Sequence, residues 1–198
     1  ALAERVGFGQ AAELTDANSN VTATTYNADG TTAKVMDAAG YTTTYSYDEC
    51  GNILTITDGR NNTTTYAYDN NNQIISQTDA LGNTSTLSYD KVGNIVRVKN
   101  AKNQIRAYSY DALGNVLTMT DPMGGVYTYK YDGKGNVLSV TDPMGNEQTF
   151  AWNEKNKLTS QTNAAGEKTG YDYDAKGNLV SVFQPNGNTI SYFYDKLD

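Results

Sequence analysis

Residues 108–128 read YSYDALGNVLTMTDPMGGVYT. Two runs of alternating character each end in an Asp-x-x-Gly group, Asp111-Ala112-Leu113-Gly114 and Asp121-Pro122-Met123-Gly124. A type I turn favours Asp first, because its carboxylate accepts from backbone amides ahead of it, and Gly last. Pro122 and Pro143 follow the Asp, where a φ fixed at about −65° suits the turn. A type I turn closed by a left-handed residue is a common hairpin connection. The stretch therefore reads as two strands and two turns.

This unit recurs every 21 residues without an insertion. The aromatic residue before the first turn is Tyr47, Tyr68, Tyr89, Tyr110, Tyr131, Trp152, Tyr173 and Tyr194. Two residues earlier stand Tyr45, Tyr66, Leu87, Tyr108, Tyr129, Phe150, Tyr171 and Tyr192. A fixed period of this kind signals a stacked repeat architecture. Alternate spacing puts both aromatic columns on one sheet face. Ser46, Ala67, Ser88, Ser109, Lys130, Ala151, Asp172 and Phe193 lie between them.

The turn positions repeat as strictly. Asp48, Asp69, Asp90, Asp111, Asp132 and Asp174 open the first turn, with Asn153 in the remaining copy; Asp121 and Asp142 open two of the second turns. The closing position of the first turn reads Gly51, Asn72, Gly93, Gly114, Gly135, Asn156 and Gly177. In the second it reads Gly40, Asn61, Gly82, Asn103, Gly124, Gly145, Gly166 and Gly187, with Ser19 further upstream. Asn is the non-glycine residue that best tolerates the left-handed region, so the requirement is one of backbone conformation.

The partner strand reads Ile53-Leu54-Thr55-Ile56-Thr57, and alternation puts Leu54 with Ile56 on one face and Ile53 on the other. Gln77 and Gln161 interrupt the apolar series in two repeats, where looser or wetter packing is expected. The expected architecture is all-β: a repetitive antiparallel hairpin meander in a curled or spiralling ribbon. Residues 14–198 form one repeat domain after a degenerate start at 1–13. Roughly sixteen strands at the usual spacing make a ribbon on the order of 75 Å long. The chain stops mid-repeat and reads as a segment of a longer protein.

Composition narrows the function. Hydrophobic residues make up 38% of the 198, and 16 are Tyr, a lean core that a repeat protein tolerates. The formal charge is −7 and the 15 basic residues form no cluster, which argues against nucleic acid. No stretch approaches the roughly 20 apolar residues of a membrane helix. The start, Ala1-Leu2-Ala3-Glu4-Arg5, is not a signal peptide. Cys50 is the single cysteine, at a variable turn position.

With no His, the usual general base, zinc ligand and every Ser-His or Cys-His arrangement are missing. One carboxylate per turn supplies few of the six to eight oxygens calcium takes, roughly. No enzyme activity, cofactor or metal is expected. The aromatic columns are read as lining, with stacking against sugar rings as the sharper possibility.

The motif Tyr-x-Tyr-Asp-x-x-Gly-Asn, seen at 108–115 and 171–178, resembles the YD repeat of the Rhs family. The resemblance covers about residues 14 to 198. That family includes bacterial Rhs and wall-associated toxins, the B and C components of insecticidal toxin complexes, and teneurins. The resemblance implies a β-ribbon spiralling into a hollow shell that encloses a toxic C-terminal domain, or a cell-surface scaffold.

It implies as partners the remainder of such a shell and an enclosed toxin domain, with a secreted or surface location. Rhs toxins close the core with an Asp-Pro-x-Gly-Leu segment linked to aspartyl protease activity. Asp121-Pro122-Met123-Gly124-Gly125 and Asp142-Pro143-Met144-Gly145-Asn146 lack the Leu and keep the repeat register, so they read as turns. Two other readings stand beside the shell: an adhesin module that binds glycans or proteins, and self-association through exposed sheet edges.

Overall fold

The computed structural model describes residues 11–195. It contains no helix among them and eighteen strands. The chain divides into two compact units, Ala1–Gln104 and Ile105–Asp198. The first holds β1 (Ala11–Thr15), β2 (Val21–Tyr26), β3 (Thr32–Met36), β4 (Thr42–Tyr47) and β5 (Ile53–Thr57). It continues with β6 (Thr63–Tyr68), β7 (Ile74–Thr78), β8 (Thr84–Tyr89) and β9 (Ile95–Lys99).

The second holds β10 (Ile105–Tyr110), β11 (Val116–Thr120), β12 (Val126–Tyr131), β13 (Val137–Thr141) and β14 (Glu147–Trp152). It ends with β15 (Leu158–Thr162), β16 (Lys168–Tyr173), β17 (Leu179–Phe183) and β18 (Thr189–Ser191). β1 begins at Ala11, inside the stretch expected to be degenerate; residues 1–10 lie outside the described residues.

Within each unit every strand pairs antiparallel with its neighbours in sequence, and the first strand does not pair with the last. Each unit is thus an open hairpin meander. Two kinds of rung pattern alternate. From β5 to β6 there are three: Thr55↔Thr65, Ile56↔Thr64 and Thr57↔Thr63. From β4 to β5 there are four, with a bulge: Thr44↔Thr57, Tyr45↔Ile56, Ser46↔Thr55 and then Tyr47↔Ile53.

That bulge corrects one expectation. Opposed residues share a face. Tyr45 with Ile56, and Tyr47 with Ile53, put both isoleucines on the aromatic face. Leu54 is the inserted residue, without a partner in the ladder and 36% exposed. Leu117 and Leu138 occupy the same place in later repeats, 39% and 40% exposed. Simple alternation fails at a bulge because two residues oppose one.

The opposite face is hydroxylic. Ser46 with Thr55, Thr57 with Thr63, and Ser109 with Thr118 bond across strands at 2.6, 2.8 and 2.6 Å. Ser139, 4% exposed, is the one fully buried residue among those described. A Lys130–Glu147 ion pair at 3.4 Å joins β12 to β14 across its strand. No hydrophobic residue among those described is fully buried. Each unit is a single layer.

Candidate functional site: the latched aromatic face and its turns

The turns are built around one carboxylate. Asp48 N–H donates to the Asn52 carbonyl at 2.9 Å, and Gly51 N–H donates back to the Asp48 carbonyl at 3.1 Å. Asp48 Oδ1 accepts from the Cys50 and Asn52 amides at 2.9 and 2.8 Å; Oδ2 accepts from the Asn52 side-chain amide at 2.9 Å. Asp90, Asp111, Asp132 and Asp142 repeat this arrangement. Asp69 accepts from the Asn71 and Gln73 amides, and Asp121 from those of Met123 and Gly125. Asp174 accepts from the Asn178 amide and side chain.

The closing residue holds positive φ throughout. Gly51, Gly93, Gly114, Gly124, Gly135, Gly145 and Gly177 lie between 85° and 98°, and Asn61, Asn72, Asn103 and Asn156 between 57° and 63°. Ser19 does so at 64°.

The residue four beyond the Asp is a functional part that the motif contained but the sequence reading left without a role. The hydrogen bond from the Asn52 side chain is the main reason the Asp48 carboxyl is held below its ordinary value; the Asn52 amide adds to this. The same cause leads for Asp58, Asp79, Asp90, Asp111, Asp132 and Asp142. Where Asn opens the turn and Gln or Glu stands four residues on, the bond reverses. Asn100 Nδ2 donates to Gln104 Oε1 at 2.8 Å, and Asn163 Nδ2 to Glu167 Oε2 at 2.7 Å. In these turns the signal was available as a pairing of residue types: Asp with Asn, Asn with Gln or Glu.

The two aromatic columns differ in chemistry. The ladder from β5 to β6 stops at Thr55↔Thr65, so the Ile53 carbonyl has no rung toward β6. The Tyr68 hydroxyl reaches it at 2.9 Å. Tyr47 bonds the Thr32 carbonyl at 2.8 Å and Tyr89 that of Ile74 at 2.7 Å. In the second unit Tyr173 bonds the Leu158 carbonyl and Tyr194 that of Leu179, both at 2.9 Å. Trp152 makes the same bond to Val137 through its indole N–H at 2.7 Å.

Each latch runs 15 residues back, onto the first residue of the preceding odd-numbered strand. The column before the Asp carries a donor at its tip, and only Tyr and Trp occur there. The column two residues earlier admits Leu87 and Phe150. Tyr45, Tyr66, Tyr108, Tyr129, Phe150 and Tyr171 sit opposite Ile56, Gln77, Met119, Val140, Gln161 and Val182. Tyr192 lies past the end of β18 and donates its backbone N–H to the Val180 carbonyl at 3.0 Å.

Burial pushes the phenols of Tyr47, Tyr68, Tyr131 and Tyr173 up; the tyrosine two residues earlier adds to this. A neutral phenol is the form that donates. Lys157 takes the place of the Asn and sits 5.8 Å from the Tyr173 ring centre. Among the described residues no group of His, Cys, Asp or Glu gathers as a metal site.

Two glycines outside the left-handed set mark close approaches that the sequence reading missed. A Cβ on Gly59 would lie 2.7 Å from Tyr41 Cβ. One on Gly125 would lie 2.8 Å from both Pro143 Cγ and Asp121 Oδ2. Neighbouring second turns therefore touch.

Comparison with known proteins agrees with this construction. The Teneurin YD-shell family profile matches residues 83–198, and the RHS Repeat profile matches 26–63 and 51–84. No curated protein matches the chain. The crystal structure of TcdB2-TccC3-Cdc42 is similar over 94% of this chain and 11% of that chain, at 17% identity and a TM-score of 0.74. That of TcdB2-TccC3 without its hypervariable C-terminal region gives the same coverages and identity, with a TM-score of 0.73. At this identity the likeness is one of fold, and the chain spans about a tenth of the length of those chains. With a period of 21 residues, latched hairpins and a profile match over more than half its length, the chain belongs to the teneurin YD-shell family of Rhs-type repeats.

Proposed function

We propose that the chain is a non-catalytic stretch of shell wall in a secreted or surface protein, and that the shell encloses or presents a toxin domain. One observation carries this reading: the aromatic face has no second layer. Ordinary domains bury the apolar face of a sheet against another element. Here each unit keeps that face half-open while latches and turn carboxylates hold the backbone rigid, as befits a wall lining an enclosed volume. The remaining shell and the enclosed domain are then the partners. The fold similarity to TcdB2-TccC3 structures supports this assignment without identifying a cargo.

Limited proteolysis of the parent protein tests the proposal. A domain carried inside is expected to resist cleavage until the shell is denatured. Equal cleavage rates before and after denaturation would reject it. The half-open tyrosine rows also favour the adhesin reading, in which aromatic faces stack on sugar rings. A glycan array with the 198-residue chain separates the two, since a wall segment is expected to bind none.

A further inference from the structure

We infer that Met123 and Met144 form a paired site for reversible oxidation by peroxide. The chain has four methionines in two settings. Met123 and Met144 stand at the tips of successive second turns, 96% and 87% exposed. The fold holds them through the backbone, their N–H groups donating to Asp121 and Asp142 Oδ1 at 2.8 and 2.9 Å. Gly125 lets Pro143 pack on the preceding turn, so the two thioethers belong to turns in contact. Met36 and Met119 instead lie half-buried in strands. Met119 is flanked by Tyr108 and Tyr127 on its neighbouring strands.

Thioether oxidation follows access. The sulfur attacks one peroxide oxygen, the O–O bond breaks, and the proton on the attacked oxygen passes to the departing hydroxide, which leaves as water. The sulfur loses two electrons and the peroxide gains them. At the tips the polar sulfoxide meets solvent only. Equivalent turns carry Arg60, Lys102 and Ala165, so the position accepts any polarity. At Met119 a sulfoxide would stand between two tyrosines. The pair therefore changes an apolar edge into a polar one while the sheet stays intact, and reductases of methionine sulfoxide can reverse the change.

The test is a hydrogen peroxide titration of the whole chain with Cys50 alkylated beforehand, read by peptide mass. Met123 and Met144 should take up oxygen on the order of tenfold faster than Met36 and Met119, with an unchanged circular dichroism spectrum. Comparable rates at all four would overturn the proposal, as would loss of the β signal when only the tips are oxidised. A Met123→Leu/Met144→Leu variant keeps the apolar tips and should take up oxygen only at the slow rate of Met36 and Met119. Uptake at Met36 or Met119 in that variant as fast as at the tips of the parent chain would also overturn it.

Discussion

Residues 45–65 and 150–170 are two copies of the same repeat, yet they are identical at only three of 21 positions. Phe150, Trp152, Asn153, Asn156, Lys157 and Gln161 replace Tyr45, Tyr47, Asp48, Gly51, Asn52 and Ile56. The backbone does not change. The Asp48 turn closes with bonds of 2.9 and 3.1 Å, and the Asn153 turn with two of 3.0 Å. Gly51 has φ 85° and Asn156 has φ 57°. Tyr47 latches at 2.8 Å and Trp152 at 2.7 Å.

What the repeat requires is therefore a short set of atoms. An oxygen accepts at the turn, a residue tolerates positive φ, and in both copies a donor stands at the aromatic tip. The Tyr-Asp signature is one way of supplying them. Lys157 loses the side-chain bond to a turn carboxylate and gains a place over the Tyr173 ring.

The comparison breaks most severely at the turn backbone. Gly51 has open space around its missing Cβ, so a larger residue there costs backbone strain alone. Gly51→Val is expected to destabilise by about 1–3 kcal/mol in urea unfolding. Gly51→Asn should cost far less, because Asn156 already holds that place. Equal losses for the two would show that packing, not φ, fixes the position.

The latch comes next. Tyr173→Phe leaves the ring but removes the bond to the Leu158 carbonyl, and should cost about 0.5–1.5 kcal/mol. Tyr171→Phe copies Phe150 and should shift the urea midpoint little. A reversed order would assign the columns wrongly. Trp152→Phe provides a second measurement on the departing repeat and should resemble Tyr173→Phe.

Much of this was legible before any coordinates. The period, both turns and the positive φ at each closing Gly or Asn follow from residue types alone. So does the difference between the columns, since Leu87 and Phe150 fall in only one of them. Three things were not legible. The bulge brings Ile53 onto the aromatic face, because alternation assumes an unbroken ladder. The latch acceptor is a backbone carbonyl 15 residues away, which no side-chain pattern encodes. Gly59 and Gly125 answer to the adjacent turn, an inter-repeat contact that a single hairpin does not contain.

Gln161 sharpens the comparison in the stabilising direction. It faces Phe150 and Thr169 on the aromatic face, where Tyr45 and Thr64 meet Ile56. Gln161→Val should restore an aromatic–aliphatic cross-strand pair and raise stability by about 0.2–1 kcal/mol. A loss would mean the amide makes a contact worth more than the pair.

The smallest effect at neutral pH is also the most diagnostic. Asp48→Asn keeps an oxygen for the Cys50 and Asn52 amides, as Asn153 does for Lys155 and Lys157 at 3.0 Å. The Asn52 amide can turn its oxygen toward the new donor, as Gln104 receives Asn100, with Asn72, whose Oδ1 accepts from Asn52 at 2.8 Å, turning its exposed amide as well. Stability at neutral pH should barely move. Acid should separate the two proteins. The folded Asp48 carboxyl lies below its ordinary value of 3.8. Its ionised form thus favours the fold above that value, and the contribution disappears as pH falls through the lowered one. Urea midpoints of the parent chain should decline in that window, with Asp58, Asp79, Asp90, Asp111, Asp132 and Asp142 acting in the same sense. Asp48→Asn should make the decline shallower by one carboxyl. An unchanged slope would mean that Asp48 titrates alike folded and unfolded, and that its turn depends on the oxygen rather than the charge.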